Sequence, residues 1–294
     1  MTFIKILLFS FIATLFLSAQ SCKRLAYINA LIINSSLKSL QKYPDIARNY
    51  RALQELCVDQ ISFREGQYSW KMLLVTHPKY PKGAFWFLPH DDEQSAFDAA
   101  VYATRRYGGG FLAIMAGDKR YFAGQDPNRN FGSSTETAQR CRGQESPAPI
   151  YSKVIFSIID TYRGRSLPYL ALHNNKDGFG GDQGTISILK SSINTPAYPA
   201  YKEIRRGGGG LNDEDSLVYI AGLSKTPNHS KLKRLLQNGI NTKYERVSPQ
   251  SNDCSLSNFV VLSKKSTDYY NIETEHGDLK TQMRMIDILM KIIK

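Results

Sequence analysis

The chain has 294 residues, 42% of them hydrophobic, with 38 Lys and Arg against 26 Asp and Glu and a formal net charge of +12. That length and apolar content are enough for a large packed core, in one domain or two, and they exclude a disordered or low-complexity chain. The basic excess suits anionic partners: cell-wall polymers, acidic peptides, membrane faces or nucleic acid. The last class is set aside, because no nucleic-acid recognition motif is present.

In chain order, MTFIK is a short basic start and Ile6 to Leu17 an apolar run of twelve residues, too short to span a membrane comfortably. Ser18-Ala19-Gln20-Ser21 then offers small residues for cleavage. Residues 1–21 therefore read as a secretory signal peptide, with an uncleaved anchor as the competing reading, and the mature chain is placed in the periplasm or outside the cell. Ala19-Gln20-Ser21 is a poor lipobox for Cys22, which argues against a lipoprotein. Loss of Lys5 leaves 37 basic against 26 acidic residues, a balance of +11. Cys22, Cys57, Cys141 and Cys254 show no CxxC spacing, so disulfides are expected rather than a zinc knuckle. Cys141 and Cys254 sit in polar, loop-like segments and are expected to pair, with Cys22 or Cys57 as alternative partners.

Leu37, Leu40, Ile46 and Leu53 follow a loose helical period, which predicts helix from Leu25 to Leu56 and a helical N-terminal extension over 22–69. Strands are predicted at Met72–Val75, Ala84–Leu88, Phe111–Met115, Tyr169–Leu172, Thr185–Leu189, Leu217–Leu223, Phe259–Leu262 and Tyr269–Ile272. Helices are predicted at Ser95–Tyr107, Ile150–Tyr162 and Leu279–Ile293. Short strands apolar on both faces, alternating with helices, predict a three-layer αβα sandwich with a mixed, largely parallel central sheet. No linker or repeat divides residues 22–294, so one domain is expected. The segment EIRRGGGGLNDEDS lacks a following GK[ST] and reads as a surface loop.

The acidic cluster His90-Asp91-Asp92-Glu93 follows the Ala84–Leu88 run at once. A His-x-x-Glu pair at such a turn can aim an imidazole nitrogen and a carboxylate at one ion; the plainer reading is that the three acids cap the next helix. His173 follows Leu172 and is placed the same way, at the strand ends where α/β sheets gather functional residues. Two histidines and a carboxylate leave open the fourth position that a catalytic zinc needs. Glu273 directly follows Tyr269–Ile272 and could serve as general base, with Glu275, on the same side of a strand, as its rival. In KRYFAGQDPNRNF, residues 119–131, Asn128 and Arg129 suit a substrate carboxylate and Arg120 a developing oxyanion. The plainer readings are a solvated charge for each arginine, or for Arg129 a brace to Asp126. His77 and His229, beside prolines, read as exposed bystanders; His276, near Glu273, could touch substrate, with an ordinary exposed histidine as the plainer reading.

In this order, HDDE, DPNRNF, LHNN and IETE resemble the zinc carboxypeptidase superfamily over roughly residues 70–294. That superfamily includes the metallocarboxypeptidases and the aspartoacylase/succinylglutamate desuccinylase branch. The resemblance implies zinc held by His90, Glu93 and His173, a substrate carboxylate on Asn128 and Arg129, an oxyanion partner in Arg120 and a general base in Glu273. DPNRNF and LHNN are similar to the acylase branch. The 100-residue gap from His173 to Glu273 suits the peptidase branch, and the 21 residues after Glu273 are too few for the acylases' β-rich C-terminal domain.

Three functions fit these residues. The first is an exported zinc peptidase cutting an amide bond near a free carboxylate, with peptidoglycan stem peptides as attractive substrates. The second is an N-acyl amino-acid hydrolase. The third is a non-catalytic secreted protein that binds anionic polymer, which the presence of all ligands and a base argues against. Expected partners are peptides or acyl-amino acids with a free carboxylate, without nucleic acid and without a stable membrane span after cleavage.

Overall fold

Alternation along the short strands decides the architecture. In β4 (Phe85–Leu88), Phe85 and Phe87 join one buried cluster while Trp86 and Leu88 join another, so the sheet is covered on both faces. The computed structural model describes residues 22, 24–132, 149–176 and 186–293. The expected signal segment 1–21 and Cys141 lie outside them.

Ten strands form one sheet: β1 (Ile32–Asn34), β2 (Cys57–Glu65), β3 (Tyr68–Thr76), β4, β5 (Gly110–Ile114), β6 (Tyr169–Asn175), β7 (Ala197–Tyr198), β8 (Leu217–Gly222), β9 (Asn241–Arg246) and β10 (Tyr269–Glu275), in the order β1-β2-β3-β5-β4-β6-β10-β8-β9-β7. The helices are four short ones, α1 (Ala26–Asn29), α2 (Leu37–Leu40), α3 (Pro44–Arg48) and α4 (Tyr50–Leu53), and five longer ones, α5 (Gln94–Tyr107), α6 (Pro149–Tyr162), α7 (His229–Gln237), α8 (Leu256–Leu262) and α9 (Leu279–Ile293). Phe97 and Ala100 of α5 and Met285 and Leu289 of α9 pack on the Trp86 face. Ile155 and Phe156 of α6 and Val260 of α8 pack on the Phe87 face. This is the expected αβα sandwich with a mixed sheet.

Parallel pairing is less extensive than expected. It holds β5-β4-β6-β10 together and recurs in β8-β9, while β1-β2, β2-β3, β3-β5, β10-β8 and β7-β9 are antiparallel. The reason is local: β2 and β3 form a tight hairpin, and antiparallel neighbours can be joined by two residues where parallel ones need a crossover.

Four sequence expectations change. The region 25–56 is not one helix but four short ones and an edge strand, broken at Asn34-Ser35-Ser36 and at Pro44, the first residue of α3. Strand β2 lies inside the expected helical extension. Phe259–Leu262 is the end of α8, whose N-cap Ser255 accepts from the Asn258 amide, a start signal for a helix. Residues 186–190 form a turn rather than a strand, and Thr185 lies outside the described residues. The helices at 94–107, 149–162 and 279–293 and the strands carrying the site match.

Cys22 and Cys57 form a disulfide, which ties the N-terminal segment to the start of β2. Arg24 braces the same junction, bonding both carboxylate oxygens of Asp59 at 2.6 and 2.8 Å. Cys254 is also disulfide-bonded, and its expected partner Cys141 lies outside the described residues. No helix among the described residues is long and apolar enough to cross a membrane.

Two glycines allow a graded test of the fold. Gly66 turns the β2–β3 hairpin at φ +57° with nothing within 4 Å of an added Cβ, whereas at Gly109 (φ +75°) that carbon would lie 1.9 Å from the Ala84 carbonyl oxygen. Gly66→Ala should cost about 1–2 kcal/mol, the left-handed penalty alone. Gly109→Ala adds a clash with backbone that cannot swing away and should cost well over about 4 kcal/mol. Denaturant melts check the order, and equal losses would contradict it.

Candidate metal centre and substrate cleft

The central strands β4, β6 and β10 run parallel and side by side, so their C-terminal ends share one edge. His90 lies two residues beyond β4. His173 is inside β6 rather than after it, and Glu273 of β10 stands opposite His173 in register. Residues distant in sequence thus meet because three strands point the same way.

At this edge His90, Glu93 and His173 are 4%, 3% and 5% exposed. One ligand atom from each lies within 4.8 Å of the others. Glu93 sits between the imidazoles, with Oε1 2.7 Å from His90 Nδ1 and Oε2 3.2 Å from His173 Nδ1. Arg120 Nη1 approaches the same Oε1 at 3.3 Å. Glu93 Oε2 is buried with His173 Nδ1 as its polar neighbour, and that contact falls outside hydrogen-bond geometry. A buried carboxylate oxygen without a donor is costly, and a cation among these three groups would meet that cost. The donor set, two imidazoles and one carboxylate, is that of a catalytic zinc site.

The charges respond to this crowding. Burial opposes a charged His90, yet the carboxylates of Glu93 and Asp126 outweigh it and lift the imidazole to about 9. Burial acts on Glu93 too, but the two histidines hold its carboxyl well below the usual range. Glu273 moves the other way: burial pushes it up, His173 opposes and Glu93 adds to the rise. Such a carboxyl is displaced toward the pKa that a base operating near neutrality needs.

The three acids of the HDDE stretch have separate tasks, and none caps α5. Glu93 occupies the N-cap position without a capping side-chain bond. The Ala96 amide is met instead by Asn174 Oδ1 at 2.8 Å. Asp91 accepts from the amides of Ala116 and Asp118 at 2.7 and 2.9 Å and fixes the loop after β5. Asp92 lines the cleft with Arg120, Tyr121, Asn128, Arg129 and His276, among others, around a space of about 250 Å³. His276 is therefore no exposed bystander. Glu273 lines the same cleft, and Glu275 is not among its lining residues.

Asp126 is the residue that sequence reasoning misplaced. Its Oδ1 lies 3.0 Å from His90 Nε2, so the ring has one nitrogen toward Glu93 and the other held by a carboxylate. That is the arrangement that orients a metal-binding imidazole. Its spacing, two residues before Asn128, was the available signal. The Arg129 amide donates to the Asp126 carbonyl at 2.9 Å, while its guanidinium donates to the Asn128 carbonyl at 2.8 Å and pairs with Asp253 at 3.4 Å. Asn128 Oδ1 accepts from the Leu256 amide at 3.1 Å.

Behind the ligands, Asn174 Nδ2 donates to Thr274 and Gln282 at 3.1 Å each, and Gln282 returns a bond to the His173 carbonyl at 3.0 Å. Strands β6 and β10 and helix α9 are thereby locked together directly beneath the site.

The chain is similar to solved metallohydrolase structures of two kinds. A provisionally assigned metallopeptidase of Shewanella amazonensis is 13% identical, with 88% of this chain and 92% of that one covered at a TM-score of 0.44. A metallo-carboxypeptidase of Burkholderia cenocepacia is 11% identical, over 87% of this chain and 66% of that one, at 0.42. A succinylglutamate desuccinylase/aspartoacylase of Rhodobacter sphaeroides is also 11% identical, over 81% and 65%, at 0.41. The scores lie below 0.5, and the assignment of the site rests on the side chains. No family model matches the chain, and no curated protein does.

Asp126→Asn retains an oxygen for the Asn128 amide, now held at 2.8 Å, but loses the carboxylate against His90. It should weaken zinc retention 10- to 100-fold with little change in thermal stability of the metal-free protein. Competition with a chelating dye reads this directly, and an unchanged dissociation constant would show that Asp126 serves its loop alone.

Proposed function

We propose that the chain is an exported zinc-dependent hydrolase of an amide bond next to a free carboxylate, with peptides as the first substrate class. The observation that carries this is the buried meeting of His90, Glu93 and His173 beside a Glu273 raised by burial. Those three side chains would hold the metal, which when bound supplies Lewis-acid polarisation of the substrate carbonyl and a more acidic attacking water.

The remaining work falls to the chain's own groups. Glu273 receives the proton of the attacking water and delivers it to the departing nitrogen. Arg129, with Asn128 beside it, holds the substrate carboxylate, because a guanidinium forks onto two oxygens and keeps its charge. That contact fixes the distance from the chain end to the bond at the metal. Arg120 faces the cleft from above Glu93 and offers positive charge to the oxygen that becomes negative. An acyl amino acid presents the same amide and carboxylate, so N-acyl amino-acid hydrolysis uses the same residues.

The signal-like residues 1–21 and the Cys22–Cys57 disulfide support export, since disulfides persist in oxidising compartments. A Cys22 sulfur engaged with Cys57 is also not available for lipid attachment. The basic balance of the mature chain suits anionic substrates such as peptidoglycan stem peptides.

Glu273→Gln should keep stoichiometric zinc and the wild-type melting profile while turnover falls by several orders of magnitude. If Glu275→Gln abolishes turnover and Glu273→Gln spares it, the base is the other carboxylate. A cleaved peptide and its C-terminal amide test the second half. Amidation should slow the wild type by an amount set by a charged hydrogen bond, roughly 2 kcal/mol or more in kcat/KM. Arg129→Ala should be slow on both forms and nearly indifferent to amidation. Equal wild-type rates on acid and amide would remove the carboxylate from the reading.

A further inference from the structure

The sheet continues past Glu273 into two strands to which the proposed reaction gives no task. Strand β8 pairs with β10 and β9 with β8, so that Asn271, Tyr219 and Lys243 stand opposite one another in register. Alternate residues of a strand share a face, so this row lies on the face that carries Glu273, one step below it. In a packed sheet such a row is expected to be apolar; here it carries an amide, a phenol and an ammonium.

Lys243 is 6% exposed. Its Nζ donates to the Ser187 carbonyl at 3.1 Å and lies 5.7 Å from the centre of the Tyr219 ring. Ser187 follows Ile186, a lining residue of the cleft whose carbonyl takes the Asn175 amide at 3.0 Å. The ammonium is therefore held behind the cleft wall, one residue removed from the lining at Ile186, and Lys243, Tyr219 and Asn271 are not themselves lining residues. Among the described residues no carboxylate forms an ion pair with it, and the nearby acids are engaged elsewhere. Glu214 accepts from the Ser187 hydroxyl at 2.5 Å. Glu245 takes Ser257 and Asn258 at 2.6 Å each, and Glu273 takes Asn271 at 2.9 Å. Burial lowers the Lys243 pKa, with Glu273 the charge that opposes the fall. An ammonium held out of water with one neutral acceptor is an unfavourable arrangement unless an anion joins it.

We propose that Lys243 is a specificity-determining residue that receives a second, side-chain carboxylate of the substrate, so that preferred substrates end in a dicarboxylic amino acid. This rests on the hydrolase reading above, in which Arg129 holds the first carboxylate. Tyr219 flanks the second carboxylate through its hydroxyl, and Asn271 through the second hydrogen of the amide nitrogen that serves Glu273.

The test is calorimetric binding to the zinc-loaded Glu273→Gln protein, which binds peptides without turning them over. The ligands are N-acetyl dipeptides ending in glutamate, glutamine or leucine. The glutamate-ended peptide should bind about tenfold or more tighter than its glutamine twin, the gain of one charge-assisted contact. Adding Lys243→Met should erase that preference while leaving leucine-ended binding within about twofold, and Lys243→Arg should preserve it. The arginine variant guards against a loss caused by misfolding. Equal affinity for glutamate and glutamine ends in the Lys243 protein, or a preference that survives Lys243→Met, overturns the proposal. The hydrolase reading fails by a separate sign: wild-type protein that binds these peptides and cleaves none of a wider panel.

Discussion

A carboxylate buried between two imidazoles is the constraint around which this molecule is arranged. Glu93 is 3% exposed and has His90, His173 and Arg120 around it, with the contact between Oε2 and His173 outside hydrogen-bond geometry. Taking such a charge out of water is expensive unless opposite charge and hydrogen bonds replace the solvent. The surrounding structure supplies both the positive groups and the rigidity that keeps them in place. Asp126 fixes one ring, Gln282 fixes the backbone of the other, and Asn174 takes over the capping task that Glu93 does not perform.

That arrangement explains why most of the site could be read from the sequence. Each member of the His90, Glu93 and His173 cluster sits at or just past an apolar run that reads as a buried strand, and parallel strands bring such positions to one edge. His90, Glu93, His173 and Glu273 were legible for this reason, as were α5, α6 and α9, which carry long amphipathic patterns. What was not legible shows the limits of periodicity. Strand β2 places Asp59 and Gln60 inside, against Arg24 and Tyr43, so its polar residues hide a buried strand. Strand β9 does the same with Lys243. The run Phe259–Leu262 is apolar and short, and such a run reads equally as strand or helix.

The charged residues divide along a similar line. Composition could say that arginines and acids abound, but not which are spent on one another. Asp91 is consumed by backbone amides and Asp126 by a histidine, while Arg129 is shared between Asp253 and the Asn128 carbonyl. Most of these distinctions are made by partners separated by many residues in sequence, which no local pattern encodes. The unresolved choice between Glu273 and Glu275 in the sequence is narrowed in the same way: strand alternation treats them alike, yet only Glu273 stands within the cleft lining.

The loop bearing Asn128 and Arg129 is fastened to the segment around Cys254 at three points. The Phe131 amide donates to the Cys254 carbonyl at 2.9 Å, Asn128 receives the Leu256 amide at 3.1 Å, and Arg129 meets Asp253 at 3.4 Å. These contacts hold the loop in place without any bound ligand. A binding surface that is already rigid loses little conformational entropy on association. An anion arriving at Arg129 would accordingly meet a guanidinium already held by the Asn128 carbonyl and Asp253, with its encounter governed by diffusion and charge.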